Sequence, residues 1–250
     1  MTTDVLQQLM FPRSLSGAPV TELPSARVPA RTVMKGHYVQ LEPLDAAEHA
    51  EALYKAGHEN SEALAIWDYL AYGPWPDLAS YTKEVRRASA CFEPVYFAIR
   101  SLETGNICGQ ASYLDIQPEN GVIEIGHIWF GLELQKTRAA TEALYLMIRH
   151  AMDDLGYRRM EWRCNAQNEK SRRAAGRLGF RHEGVFYNHM IFKGKNRDTA
   201  WYSILDNEWP TVREVLEGWL SPDNFNERGQ ARSSLSERME NRGEDAWARG

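Results

Sequence analysis

The sequence predicts an α/β (α+β) domain with a mixed, mostly antiparallel central sheet of about seven strands flanked by helices. Two observations predict this class. Strand-like segments follow one another in the middle and near the end of the chain, and helical segments lie before, between and after them. The 250 residues are 43% hydrophobic and 25% charged, which is typical of a globular domain long enough to bury a core.

The chain divides into four predicted parts. Residues 1–32 carry four prolines among Ser, Ala and Thr, which indicates an extended N-terminal arm. Residues 33–206 contain the sheet and most helices. Residues 207–221 predict a C-terminal helix with Pro210 in its first turn. Residues 222–250 are rich in Arg, Glu, Ser and Gly, which predicts a charged, flexible tail.

The first elements are one strand and three helices. Residues 37–42 alternate in polarity and predict a strand. Each helix is preceded by a side chain whose oxygen can accept hydrogen bonds from first-turn N–H groups. These predicted N-caps are Asp45, Asn60 or Ser61, and Asp77 or Ser80.

The segment between the second and third helices is dense in aromatic residues and is interrupted by Gly and Pro. Its large side chains include Trp67, Tyr72 and Trp75. Two interpretations carry equal weight. The rings either fill the core under an irregular connection, or they line a pocket for a substrate, as irregular aromatic loops often do.

From residue 95 onward the pattern is mainly β. Three strands at 96–100, 107–116 and 122–130 are joined by turns that contain Gly105 and Gly121. A long helix to Leu155 follows, because apolar residues recur at helical spacing until Gly156 ends the pattern. The remaining predicted elements are a strand at 159–164, a basic helix at 170–178 and strands at 184–191 and 198–205.

The start of the long helix is the strongest functional signal. A strand ends at Phe130, and a short turn leads into small and polar residues from Gln135 onward. Free N–H groups and the positive end of the helix dipole attract phosphate at such a position. The sequence therefore predicts an anion site there.

Charge, cysteines and hydropathy exclude several classes. The net charge of −5 argues against a nucleic-acid binder. Cys91, Cys108 and Cys164 form no C-x-x-C pair and are predicted to be reduced thiols, and the histidines show no metal-ligand spacing. The chain has no signal peptide and no apolar run that could span a bilayer. We therefore expect a cytoplasmic protein without a bound metal or a membrane partner.

Three segments together resemble a known family. Gln135–Ala140 stands at the helix start, and Asn168 and Ser171 precede Leu-Gly-Phe at 178–180. The strand carries Ile-Glu-Ile-Gly at 123–126. In this order and spacing they resemble the GNAT superfamily of N-acetyltransferases, of the ribosomal-protein N-terminal (RimJ/RimL-like) type, over roughly residues 35–206.

The resemblance implies a GNAT fold and acetyl-CoA as co-substrate. It assigns the donor site to the end of the strand, the loop, the helix start and the basic helix. The implied CoA-binding residues are Ile128, Trp129, Phe130, Gln135, Lys136, Thr137, Arg138, Ala139, Ala140, Thr141, Asn168 and Ser171. Arg138 departs from the family pattern, which has Gly at this position. Its guanidinium either reaches the pyrophosphate or obstructs it, and the small residues after it favour a retained, modified loop.

Chemistry of this kind needs a neutral amine, a base and an acid. The amine attacks the thioester while strand N–H groups bind its oxygen. Glu124 interrupts an apolar strand and is the candidate base, with an ion pair across the sheet as an alternative of nearly equal weight. Ser171 is the candidate acid and also a candidate CoA contact, because its helix has no tyrosine. Trp67, Tyr72, Trp75 and Glu124 are the candidate substrate-binding residues.

The acceptor is predicted to be a protein N-terminus or a small amine, in a monomer or a homodimer. One alternative keeps the fold and changes the donor to another acyl-CoA or to an aminoacyl-tRNA, which is the one case in which nucleic acid would be a partner. A second alternative is a module that binds acyl-CoA without catalysis.

Overall fold

One sheet of eight strands organises the chain in the computed structural model, which describes residues 13, 15–17, 19–22 and 24–242. The strands are β1 (Met34–Lys35), β2 (Val39–Pro43), β3 (Val95–Ser101), β4 (Ile107–Gln117), β5 (Val122–Phe130), β6 (Arg159–Asn165), β7 (Arg181–Phe192) and β8 (Lys195–Leu205). The count exceeds the predicted seven because the two-residue strand β1 pairs with β2.

Seven α-helices surround the sheet within the described ranges. They are α1 (Ala46–His58), α2 (Ser61–Leu64), α3 (Leu78–Ala90), α4 (Arg138–Arg149), α5 (Glu169–Arg177), α6 (Trp209–Leu220) and α7 (Leu235–Glu240). A π-helical turn at His150–Asp154 continues α4. The predicted caps Asp45, Asn60 and Asp77 are confirmed, since each side chain accepts hydrogen bonds from first-turn N–H groups.

The sheet is mixed and mostly antiparallel, as predicted. Its strand order is β1-β2-β3-β4-β5-β6-β8-β7, and β5 and β6 form the one parallel pair among the described strands. Their pairing begins at Val122 and Arg159 and ends at Glu124 and Glu161. In the part of the chain that is described, β5 then continues to Phe130 unpaired on that side. The two strands therefore diverge and leave a cleft at their carboxyl ends.

A bulge in β5 changes the orientation of its side chains. Ser112 of β4 pairs with Gly126, and Gln110 pairs with Trp129, so His127 and Ile128 together occupy one position of the ladder. His127 has a φ of 50°. Because strand side chains alternate, the extra residue puts Trp129 on the same face of the sheet as Gly126.

Two apolar clusters cover the two faces. On one face, α1 and α3 pack over Tyr96, Ala98 and Trp129. On the other face, α4 and α6 pack over residues such as Phe97 and Ile123. Since α4 lies between the sheet and α6, its residues are buried from Ala139 to Ile148. This burial fixes the start of α4 at the mouth of the cleft.

The C-terminal part differs from the flexible tail that the composition predicts. Phe225, Leu235 and Met239 are buried, and Trp219 of α6 donates a hydrogen bond from Nε1 to the Ser233 carbonyl at 2.9 Å. These three large apolar residues pack inward, against α6 and neighbouring residues. Residues 243–250 lie outside the described residues, as do most of residues 1–23.

The arm that precedes the sheet has no helix or strand in its described residues. Arg27 donates its backbone N–H to the Leu155 carbonyl at 2.9 Å, which attaches this segment to the end of the long helix. All three cysteines are free thiols. None of the described helices is long and apolar enough to cross a bilayer.

Candidate active site

A cavity of about 420 Å³ opens where β5 and β6 diverge. Its floor is formed by β5 and β6. One wall is the connection after α2, with Tyr69 and Leu70, and the opposite wall is the β7–β8 hairpin, with His189 and Arg197. The hairpin reaches across, because Lys193 donates from Nζ to the Trp67 carbonyl at 2.7 Å. The cavity is therefore bounded by segments that are distant in sequence.

Glu124 lies in the floor of this cavity and is 4% exposed. Arg163 of β6 contacts Oε2 of Glu124 with both Nε and Nη2, and the same Nη2 contacts Asp115 of β4. The ion pair across the sheet is therefore present. Oε1 of Glu124 has no hydrogen bond to any residue that the structure describes, so it can accept a proton or a hydrogen bond from a ligand.

The ring of Trp201 also contacts Arg163. Its guanidinium carbon lies 4.7 Å from the ring centre of Trp201, which pairs with Arg163 across the β6–β8 ladder. Burial and the nearby charge of Arg197 lower the pKa of Arg163. Neither Arg163 nor Asp115 was among the predicted site residues, because the pattern of a single strand does not reveal its cross-strand partner.

Ser171 and Asn168 both line the cavity. Asn168 caps α5, because its side chain accepts the N–H of Ser171 at 3.1 Å. The Ser171 hydroxyl accepts a hydrogen bond from Trp162 Nε1 at 3.0 Å, so its own proton points to another acceptor, such as the adjacent Cys164 sulfur. The neighbouring thiol of Cys164 also lines the cavity, and burial raises its pKa. Asn168, Ser171 and Glu124 therefore line the same cavity.

The predicted loop forms the start of α4. Thr137 is the N-cap, and its hydroxyl accepts the N–H of Ala140 at 3.1 Å. The N–H groups of Arg138 and Ala139 have no intrahelical acceptor, as is usual in a first helical turn. Lys136 is exposed with a φ of 62°. The arrangement has the free donors that an anion site needs.

Other residues of this segment have structural roles. Gln135 donates from Nε2 to the Phe130 carbonyl at 2.8 Å and ties the loop to the end of β5. Thr141 accepts a hydrogen bond from Arg177 of α5 at 3.0 Å, which joins the two helices that flank the cleft. Trp129 belongs to the core and Ile128 lines the cavity.

Arg138 lies against two aromatic rings that meet edge to face. Its guanidinium carbon lies 4.1 Å from the ring centre of Tyr38 and 5.2 Å from that of Phe225. Tyr38 is in turn held by Glu142 of α4, which accepts its backbone N–H at 2.6 Å. The side chain that replaces the usual Gly thus joins the helix start to the segment before β2 and to the C-terminal segment.

The aromatic connection supplies one wall through residues other than the predicted ones. Trp67 is 1% exposed and belongs to the core, where its Nε1 donates to the Gly57 carbonyl. Trp75 packs against Trp67 with ring centres 5.1 Å apart. Tyr72 does not line this cavity but stacks on His127, which does. The residues of the connection that line the cavity include Tyr69 and Leu70.

His127 is a cavity residue that the sequence did not single out. It sits at the bulge, its Nδ1 is 3.0 Å from the Tyr72 hydroxyl, and the two rings are stacked. Burial, with added repulsion from Arg87 and Arg197, lowers the pKa of His127 to about 4. The imidazole is therefore neutral near pH 7.

This depressed pKa predicts a loss of stability in mild acid. Between pH 6.5 and about 4 the unfolded chain takes up a proton at His127 that the folded chain does not, so the free energy of unfolding falls as the pH falls. The loss amounts to about 2 kcal/mol by pH 5. Urea unfolding at pH 7.5 and pH 5 measures it.

In that experiment His127→Asn should lose less stability than the wild type, because Asn does not titrate and tolerates a positive φ. His182→Asn removes an exposed histidine and serves as the control. Equal losses in the wild type and in His127→Asn would contradict the assignment.

The diverging parallel strands and the free helix start thus frame one cleft that leads into the cavity. The chain belongs to the GNAT family, since the acetyltransferase (GNAT) domain profile matches residues 39–181. A crystal structure of a GCN5-related N-acetyltransferase from Brucella melitensis is 40% identical, with a TM-score of 0.85, over 88% of this chain and 99% of that one.

Two further relatives agree with this assignment. A GNAT-family structure from Chromobacterium violaceum is 34% identical with a TM-score of 0.72, over 80% of this chain and 98% of that one. YdaF of Bacillus subtilis, by its name a candidate ribosomal N-acetyltransferase, is 29% identical over 173 residues, which are 68% of this chain and 90% of the relative.

Proposed function

We propose that this enzyme transfers the acetyl group of acetyl-CoA to the α-amine of a protein N-terminus or to a small primary amine, by direct attack with both substrates bound. The observation that carries the proposal is the cavity that joins the cleft between β5 and β6 to the carboxylate of Glu124. The name of the relative YdaF supports a protein acceptor.

In this proposal the donor lies along the cleft. Its pyrophosphate binds the free N–H groups at the start of α4, beside Thr137 and Ala139, and the pantetheine arm passes between β5 and β6. N–H groups of the unpaired end of β5, from Ile128 to Phe130, stabilise the charge that develops on the thioester oxygen. Apolar neighbours exclude water, which would otherwise hydrolyse the donor.

The acceptor amine occupies the cavity next to Glu124. The free Oε1 accepts a proton from the amine, directly or through one water molecule, while Arg163 holds Oε2. A carboxylate beside a guanidinium is a weak base. It suits an α-amine, with a reference pKa near 7.7–8.0, better than a lysine amine near 10.4. Ser171 is the proposed donor of a proton to the departing thiolate, and it regains a proton from the one that the amine releases to Glu124 and solvent, so that overall the amine proton ends on CoA.

Acetylation of defined amines tests the proposal. The enzyme and acetyl-CoA are mixed with a peptide that has a free α-amine, with the same peptide blocked at its N-terminus but carrying a lysine, and with a polyamine. Thiol release is followed with a thiol-reactive dye, and the modified atom is located by fragment mass spectrometry. We expect fastest release, and the added acetyl group, at a free α-amine.

Other outcomes would contradict the proposal in distinct ways. Binding of acetyl-CoA without thiol release on any amine would indicate a non-catalytic module. Binding of a charged tRNA in place of CoA would indicate a different donor. Reaction at lysine or polyamine amines alone would remove the α-amine from the proposal.

A further inference from the structure

Arg197 is an unpaired cation in the cavity wall. It lies on β8, opposite Met190 of β7. Its guanidinium carbon is 4.4 Å from the ring centre of Phe192, and its Nε is buried without a hydrogen-bond partner. Within the described part of the chain, no carboxylate forms an ion pair with it.

The other arginines of this sheet all form ion pairs with glutamates. Arg100 binds Glu42, Arg159 binds Glu183, and Arg163 binds Glu124. A guanidinium stays charged in proteins, and removing part of it from water without a counterion is unfavourable. Among the sheet arginines that the structure describes, Arg197 is the one without a carboxylate, so its counterion can come from outside the chain.

The position of Arg197 specifies where that partner lies. Arg197, Thr199 and Trp201 alternate along β8 and so share one face of the sheet. Arg197 and Thr199 line the cavity, and Trp201 pairs with Arg163, which holds Glu124. Burial lowers the pKa of Arg197, which agrees with its position inside the cavity wall.

The charges of the cavity are arranged in two parts. Near Arg163 there are two carboxylates, Glu124 and Asp115, for one guanidinium. Arg197 of β8 also lines the cavity, and no described carboxylate forms an ion pair with it, since the neighbouring Asp198 accepts the N–H of Asn188. An acceptor with an amine at one end and an anion at the other matches both parts. Phe192 covers one face of the Arg197 guanidinium, and the N–H edge remains for the oxygens of a carboxylate or phosphate.

We infer that Arg197 binds an anionic group, a carboxylate or a phosphate, carried by the acceptor amine. This inference rests on the proposed function and names the acceptor class within it. Fixing both ends of the acceptor orients the amine toward the thioester, which is the contribution that direct attack requires from the protein. The anion can belong to an acidic residue near a protein N-terminus or to a small amino acid or amino phosphate.

Kinetics on matched acceptors test the inference. One arm compares a tripeptide amide with Asp at its second position against the same peptide with Asn. The other arm compares β-alanine with its amide, and phosphoethanolamine with ethanolamine. For at least one pair, wild-type kcat/KM should be higher for the anionic member by about 10-fold or more, the usual effect of a hydrogen-bonded charge pair. The pair that responds identifies the source of the anion.

Variants of Arg197 assign the preference to this side chain. Arg197→Gln should lower kcat/KM for the anionic member by about 10-fold or more and change the neutral member by less than about two-fold, and Arg197→Lys should restore part of the preference. Arg86→Gln, which removes an exposed arginine of α3, should change neither. Equal losses on both members of every pair, or no preference in the wild type, would overturn the inference.

A binding measurement separates this inference from the proposed function. If no amine is acetylated, the proposed function fails, and Arg197 is then tested by calorimetry on CoA-loaded protein, in which CoA occupies the donor phosphate site. Binding of β-alanine or phosphoethanolamine to the wild type but not to Arg197→Gln supports the inference. Equal binding to both proteins, or binding to neither, overturns it.

Discussion

Replacing Glu124 by Gln is expected to lower kcat by about 100-fold or more and to leave the Kd for acetyl-CoA within about two-fold. The amide keeps the shape of the carboxylate but cannot take the amine proton at Oε1. Glu124 lies in the cavity floor, away from the start of α4, so donor binding should not depend on it. Initial rates of thiol release at saturating substrate concentrations give kcat, and calorimetry gives the Kd for acetyl-CoA.

Two comparisons separate a base from a structural ion pair. Glu119→Gln changes an exposed glutamate in the turn before β5 and should have no effect on turnover. Arg163→Met removes the cation but keeps the Glu124 carboxylate. If Glu124 acts only through the ion pair, the two cavity variants should lose the same fraction of kcat. Unchanged turnover in Glu124→Gln would remove this residue from the mechanism.

The elements of the fold were predictable because their signals are local. Asp45, Asn60 and Asp77 identify helix starts through hydrogen bonds that span two or three residues. Gly105, Gly121 and Gly156 have positive φ in the turns that their positions indicate. Each of these features is determined by a few consecutive residues, so one sequence is enough to identify it.

The features that create the cavity depend on pairing between distant residues. The parallel pairing of β5 and β6 ends at Glu124 and Glu161, and nothing in either strand alone marks that end. The bulge at His127 is also invisible in the pattern, since the residues around it are apolar on both sides of the strand. The cleft was therefore not among the predicted features, and the family resemblance predicted only which segments bind the donor.

The same distinction explains the site residues. The start of α4 was identified because a short turn with small and polar residues follows a strand, which is a local pattern; its N-cap, Thr137, was not predicted. The partner of Glu124 is 39 residues away and belongs to a strand that reaches it through a helix crossover. In the aromatic connection, composition left a core role and a pocket wall equally open and could not assign which side chains take which role. The side chain of Trp67 packs in the core, whereas that of Tyr69 lines the cavity.

The second large effect is expected from reversing the charge at the first residue of α4. Arg138→Glu should raise the Kd for acetyl-CoA by about 10- to 100-fold, because a carboxylate replaces a cation beside the N–H groups that bind the pyrophosphate. The interaction energy of two unit charges about 6 Å apart is about 1–3 kcal/mol over the range of effective dielectric constants near a surface. The helix dipole favours a carboxylate in the first turn, which offsets the repulsion from Glu142 one turn further on, so the fold should persist.

Calorimetry with acetyl-CoA, alongside a thermal unfolding scan, measures both quantities. Arg138→Gln separates charge reversal from loss of the stacked side chain: it should change the Kd by only a few-fold, since the guanidinium is already engaged by Tyr38 and Phe225. Arg86→Glu applies the same reversal on the exposed surface of α3, away from the cleft. If Arg138→Glu binds acetyl-CoA as tightly as Arg86→Glu does, the pyrophosphate does not lie at the start of α4. The donor would then have to enter the cavity by another route.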